Sequence, residues 1–139
     1  MSRSTRIPTG IFDSRQFGFA QVAIVTNFLG REVHVSGQTA WDAERNVVGV
    51  GDIGRQLEKS LANVAVALES VGAKLDQVGS LRIYVRQSHM YEGKAIGSVL
   101  KAVFGDKLPC STWIGVPCLA QEEFLVKVEP SPVFLPYGT

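Results

Sequence analysis

At 139 residues, 45% hydrophobic and 19% charged, the chain is sized for one domain (1–139): enough to bury a core, too short for two. Its net charge of +1, from 14 Lys and Arg against 13 Asp and Glu with neither sign in a block, argues against a nucleic-acid partner, which needs a phosphate-neutralising surface, and gives a membrane surface nothing to attract. The opening MSRSTRIPTG lacks an apolar signal core, no run approaches the ~20 apolar residues of a bilayer span, and Cys110 and Cys118 make no disulfide framework, so the expectation is a reduced, cytoplasmic location.

In chain order, FAQVAIV (19–25) and EVHVSG (32–37) are short, β-branched stretches that predict strands, and WDAERN (41–46) reads as a polar turn between short strands. Ile53, Leu57, Leu61, Val64, Leu68 and Val71 then recur at spacings of four and three, predicting a helix with Asp52 as N-cap and Gly72 just past its end. LRIYV (81–85) is a strand with Arg82 and Tyr84 on one face and Leu81, Ile83 and Val85 on the other. Ile96, Val99, Leu100 and Val103 share one face of a second helix, for which Ser88 could cap the start and Gly105 follows the end. STWIGV (111–116) and FLVKVE (124–129) complete the strands, the latter with Lys127 and Glu129 opposite Val126 and Val128. This order predicts a two-layer α+β domain, a mixed sheet covered on one face by two helices. The other face is not strongly polar, which suits association with further copies.

The stretch LPCSTWIGV (108–116) sets Cys110, Ser111 and Thr112 side by side, which raises a nucleophile. A catalytic thiol needs its pKa lowered by a nearby histidine or helix N-terminus. The two histidines are His34, which shares a strand face with Ser36, and His89, a surface residue near a helix start. The alternative for Cys110 is a small residue packed at a strand start. Lys127 and Arg82 either build an anion site or stand solvated and ion-paired. Trp113 and Phe19 form an apolar ligand wall or pack an interface. Ser36 and Gly37 make a strand-end turn where backbone can approach closely.

Taken in order, GFAQV (18–22), VHVSGQ (33–38), GDIGRQLEKSLANVAVALESVGAKLDQV (51–78), LRIYV (81–85), the proline of PCST (109–112) and LVKVE (125–129) resemble the YjgF/RidA family over about 18–131. The resemblance implies a chorismate-mutase-like fold assembled as a homotrimer, with clefts between neighbouring subunits. It also implies hydrolysis of reactive enamine or imine intermediates to ammonia and a 2-keto acid, with no metal or organic cofactor. In the family's deaminase branch, an arginine two positions after the proline holds the substrate carboxylate, and a glutamate near the C-terminus positions the water.

Here Ser111 stands in the arginine's place, exchanging a planar, charged, bidentate donor for one neutral hydroxyl. Lys127 takes the glutamate's place if one extra residue is allowed in LAQEE, and Val126 takes it otherwise. Glu129 lies two residues on, about 6–7 Å along the same strand face. The family's cleft tyrosine becomes Phe19. The candidate substrate-binding set is therefore Phe19, Ser36, Gly37, Cys110, Ser111, Trp113 and Lys127, with no catalytic residue assigned. The implied function is binding, with or without hydrolysis, of a small imine, enamine or carbonyl metabolite, not classical 2-aminoacrylate deamination. The alternatives are a non-catalytic metabolite-binding or interaction trimer, and an endoribonuclease or translation inhibitor. Near-zero charge and the lack of an evident histidine acid–base pair weigh against the last.

Overall fold

The computed structural model describes residues 1–138. Its elements are β1 (Ser2–Arg6), β2 (Val22–Asn27), β3 (Gly30–Val35), α1 (Ile53–Glu69), β4 (Ser80–Arg86), α2 (Gly93–Phe104), β5 (Cys110–Val116), β6 (Val126–Pro130) and β7 (Val133–Pro136). The strands hydrogen-bond in two groups. One is antiparallel, in the order β1-β2-β3-β7; the other is mixed, in the order β5-β4-β6, with β5 parallel and β6 antiparallel to β4. A reciprocal pair joins them: the Gln38 N–H donates to Val128 O at 2.7 Å, and the Val128 N–H to Gln38 O at 2.9 Å.

Both helices pack on this α+β framework. Leu57, Leu61, Val64 and Leu68 of α1 sit in one buried cluster with Val22, Ile24, Val33 and Val35 from the first group and Leu81, Ile83, Val85, Val126 and Val128 from the second. Each such side chain taken fully out of water contributes roughly 1.5–3 kcal/mol, so the predicted apolar faces hold the layers together. Helix α1 starts where expected, with the Asp52 carboxylate accepting from the Arg55 N–H at 3.1 Å. At its far end Gly72 takes φ +81° and lets the Ala73 N–H return to Leu68 O at 3.0 Å, beside the Val71 N–H at 3.1 Å on the same carbonyl.

Several boundaries differ from the sequence reading. Strand β2 begins at Val22, because a 3-10 turn at Arg15–Phe17 carries the chain through Phe19 before it reaches the sheet. Strand β3 ends at Val35; Ser36 carries the pairing one bond further, its N–H to Gln21 O, and its hydroxyl donates to Ala20 O. Ser88 does not cap α2: it lies in a separate 3-10 turn, Gln87–His89, with its hydroxyl on His89 Nδ1, and Glu92 is the N-cap. Val103 is 38% exposed, whereas Ile96, Val99 and Leu100 are buried and Phe104 packs against the core from the same last turn.

Two strands lie outside the predicted set. The side chains of β1 are all exposed and it joins the sheet through backbone bonds alone; β7 alternates buried and exposed residues beyond 131. No helix among the described residues is long and apolar enough to cross a membrane.

Candidate functional site

The seven candidate residues fall into two groups on different parts of the chain. The first gathers where β3 gives way to the Gln38–Val128 pair. Ser36 and Gly37 are half-buried there, and the Lys127 stem runs close over the Gly37 backbone, its Cε 2.6 Å from where a Cβ on Gly37 would lie. Lys127 projects from β6 on the face opposite Val126 and Val128, as the alternation predicts. It has no acidic partner among the described residues.

The turn is held from beneath by glutamines to which the sequence reading gave no role. The Gln38 side chain, 1% exposed, donates to Gln21 Oε1 at 2.7 Å and to Ser36 O at 3.0 Å, and Gln21 in turn donates to Phe12 O at 3.1 Å. The signal available was the glutamine of VSGQ, whose burial only the packed fold reveals. Phe19 belongs to this end as well. It is 41% exposed and meets Phe12 edge to face at 6.3 Å, at the rim of an aromatic cluster in which Trp41 contacts Phe12 at 5.0 Å and Phe124 at 5.2 Å. Trp41, read from sequence as part of a polar turn, is thus a structural anchor beside the site.

The second group is on β5, at the far edge of the three-stranded group. Parallel pairing sets Ser111 beside Leu81 and Trp113 beside Ile83, so both share the helix-covered face, where Trp113 lies against the start of α2 at Gly93. Cys110 pairs with Ser80 and Thr112 with Arg82, which puts them on the opposite face. The Trp113 indole N–H donates to the Ser111 hydroxyl at 3.2 Å. Cys110 is exposed rather than packed at the strand start. Its backbone N–H bonds Gly79 O, while His34 Nε2 is engaged by Glu32 at 2.7 Å, so no Cys–His pair forms.

Between the groups, on the face opposite the helices, a hollow of about 290 Å³ is lined by His34, Ser80, Arg82, Glu129 and Ser131, among others. Arg82 and Glu129, cross-strand neighbours, form an ion pair at 3.3 Å. That pair turns Glu129 toward Arg82, and no ion pair links it to Lys127 among the described residues. Among the described residues, no group of three or more His, Cys, Asp or Glu side chains could hold a metal ion.

The sequence profile of the Endoribonuclease L-PSP family matches residues 17–131. The chain belongs to this family, known also as YjgF/RidA. It is 27% identical over 88 residues to a 2-iminobutanoate/2-iminopropanoate deaminase of Dermatophagoides farinae, covering 63% of this chain and 67% of that protein. It is 26% identical over 111 residues to a RutC family protein of Pyrococcus abyssi, covering 80% and 82%. Among solved structures, a member of the YjgF/YER057c/UK114 family from Mycobacterium tuberculosis aligns with TM-score 0.76 at 25% identity, covering 96% of this chain and all of that one. Yeast Mmf1 aligns with TM-score 0.82 at 19% identity over 96% of this chain and 100% of its own, a likeness of fold.

Proposed function

We propose that this YjgF/RidA protein binds a small imine, enamine or carbonyl metabolite in clefts between copies of itself, as a homotrimer, and does not run the arginine-and-glutamate deamination. The observation that carries this reading is the separation of the two groups. Lys127 and Gly37 lie at β6, Ser111 and Trp113 at β5 with β4 between, and Lys127 and Ser111 occupy opposite faces. Two strand spacings of about 4.8 Å and a change of face are more than a small ligand bridges. One that touches both groups needs two copies, each lending one half.

The chemistry follows from the charges. Imine hydrolysis adds water across C=N, breaks the C–N bond and releases ammonia with a carbonyl product. A carboxylate beside the water would take its proton. Lys127 carries a cation there instead, able to neutralise a carboxylate or a developing oxyanion but, while protonated, unable to accept a proton. This lysine also favours a second reading, a cleft that holds its metabolite without turning it over. The near-zero charge gives no footing to an RNA substrate.

Light scattering should give about three times the 15.1 kDa chain mass. With 2-aminoacrylate or 2-iminopropanoate generated in situ, keto-acid release should fall roughly 10²–10³-fold below that of an arginine-bearing relative, the usual cost of a lost charge-assisted contact in the transition state. A monomer would remove the clefts, and release at the relative's rate would show that other residues have taken over the reaction.

A further inference from the structure

We propose that Lys101 is the anion-binding residue of the Ser111 half of the cleft and selects small carboxylates with a short aliphatic chain. The inference rests on the reading of Ser111 as a cleft residue. Between the second half of α2 and the start of β5 lies a hollow of about 180 Å³ lined by Gly97, Leu100, Lys101, Leu108, Pro109 and Ser111. Gly97 and Lys101 are one helical turn apart and share a face. A Cβ on Gly97 would meet nothing within 4 Å, so the hollow stays open along the helix at that point.

Its polar groups are placed for an acceptor. The Ser111 oxygen already receives the Trp113 indole N–H, which leaves the hydroxyl proton to be donated elsewhere. Lys101 is exposed and makes no ion pair among the described residues, whereas Lys107 nearby is held by Asp76 at 3.4 Å. Lys101 also lies in the last turn of α2. The carbonyl end of a helix carries partial negative charge that favours the ammonium and repels an anion. Ser111 by itself could not hold a carboxylate against that field, so the lysine is the deciding group. Leu108, 56% exposed, forms an apolar wall with Leu100 and Pro109, which suits a short hydrocarbon tail.

The test uses the full chain. Butyrate, 2-ketobutyrate and the neutral isostere butyramide are titrated against wild type, Lys101→Met, Lys101→Arg and Lys127→Met, with Kd and the amide shifts of Gly97 and Leu108 read by NMR. Expected are butyrate binding with shifts at those amides, butyramide at least tenfold weaker, Lys101→Met raising Kd about tenfold or more, and Lys101→Arg within a few-fold of wild type. Lys101 is an exposed helix position, so methionine should leave the circular dichroism unchanged; Lys101→Gln serves if it does not. An unchanged Kd in Lys101→Met with binding lost in Lys127→Met would overturn the inference and leave the cleft reading intact. If no carboxylate binds the wild-type trimer, both fail.

Discussion

Replacing Gln56 with methionine should cost about 2–4 kcal/mol of stability. Gln56, on the inner face of α1, is 0% exposed. Its amide nitrogen donates to Gly49 O at 3.2 Å and Glu123 O at 2.9 Å, and its oxygen accepts the Leu125 N–H at 2.9 Å. Methionine keeps the length of the side chain and removes all of these bonds. The Leu125 N–H, in a residue only 6% exposed, would be stranded away from water at a cost of about 1–3 kcal/mol. Gly49 is half-buried and Glu123 exposed, so water replaces part of what their carbonyls lose, leaving about 0.5–1 kcal/mol each. A buried thioether instead of an amide returns a fraction of this, which gives the net figure. Because Leu125 leads directly into β6, the same change should loosen the strand that carries Lys127. Urea unfolding followed by tryptophan fluorescence, at matched chain concentration because assembly contributes to stability, would give the change in midpoint at constant slope. Hydrogen exchange at the Leu125 amide should accelerate in parallel. A midpoint shift worth less than about 0.5 kcal/mol, with Leu125 still protected, would refute the assignment of Gln56 as the tie between α1 and the approach to β6.

Further expectations can be checked separately. Ser111→Arg alone should bind an acidic ligand better without restoring imine hydrolysis, since holding the carboxylate and activating water are different tasks; Ser111→Arg with Lys127→Glu should recover measurable keto-acid release, and full rescue by the single change would refute the role given to Lys127. Asp52→Ala should lower stability by about 1 kcal/mol, the usual cost of an N-cap, visible in the same urea titration. The Asp13 pKa is lowered to about 2, first by the side-chain hydrogen bonds from Arg15 and then by the Arg15 backbone N–H. Because its folded value is depressed, the contribution of Asp13 to stability is present above the ordinary value of 3.8 and is lost as pH falls toward 2. A carboxyl NMR titration should find it ionised at pH 3, and Arg15→Ala should return it toward 3.8.

The sequence by itself determined the elements whose pattern is written in side chains. The period of α1 from Ile53 to Leu68 and the alternation in β4 and β6 require burial of one face, and those faces are the ones buried in the structure. Strand β1 was not legible, because SRSTR contributes only backbone hydrogen bonds and backbone bonding leaves no pattern in residue type. The start of β2 was decided by the 3-10 turn at Arg15–Phe17, and the start of α2 by the extra turn at Gln87–His89. At the candidate site, the substitutions at Ser111 and Lys127 were readable from the resemblance. Which face each residue occupies was not, since a parallel partner for β5 fixes Ser111 and Trp113 toward the helices and a one-residue change of register would reverse them. Only tertiary contacts brought the Lys127 stem over Gly37, paired Arg82 with Glu129, and buried Gln38 and Gln56. Those meetings join residues far apart in the chain, and local periodicity carries no information about them.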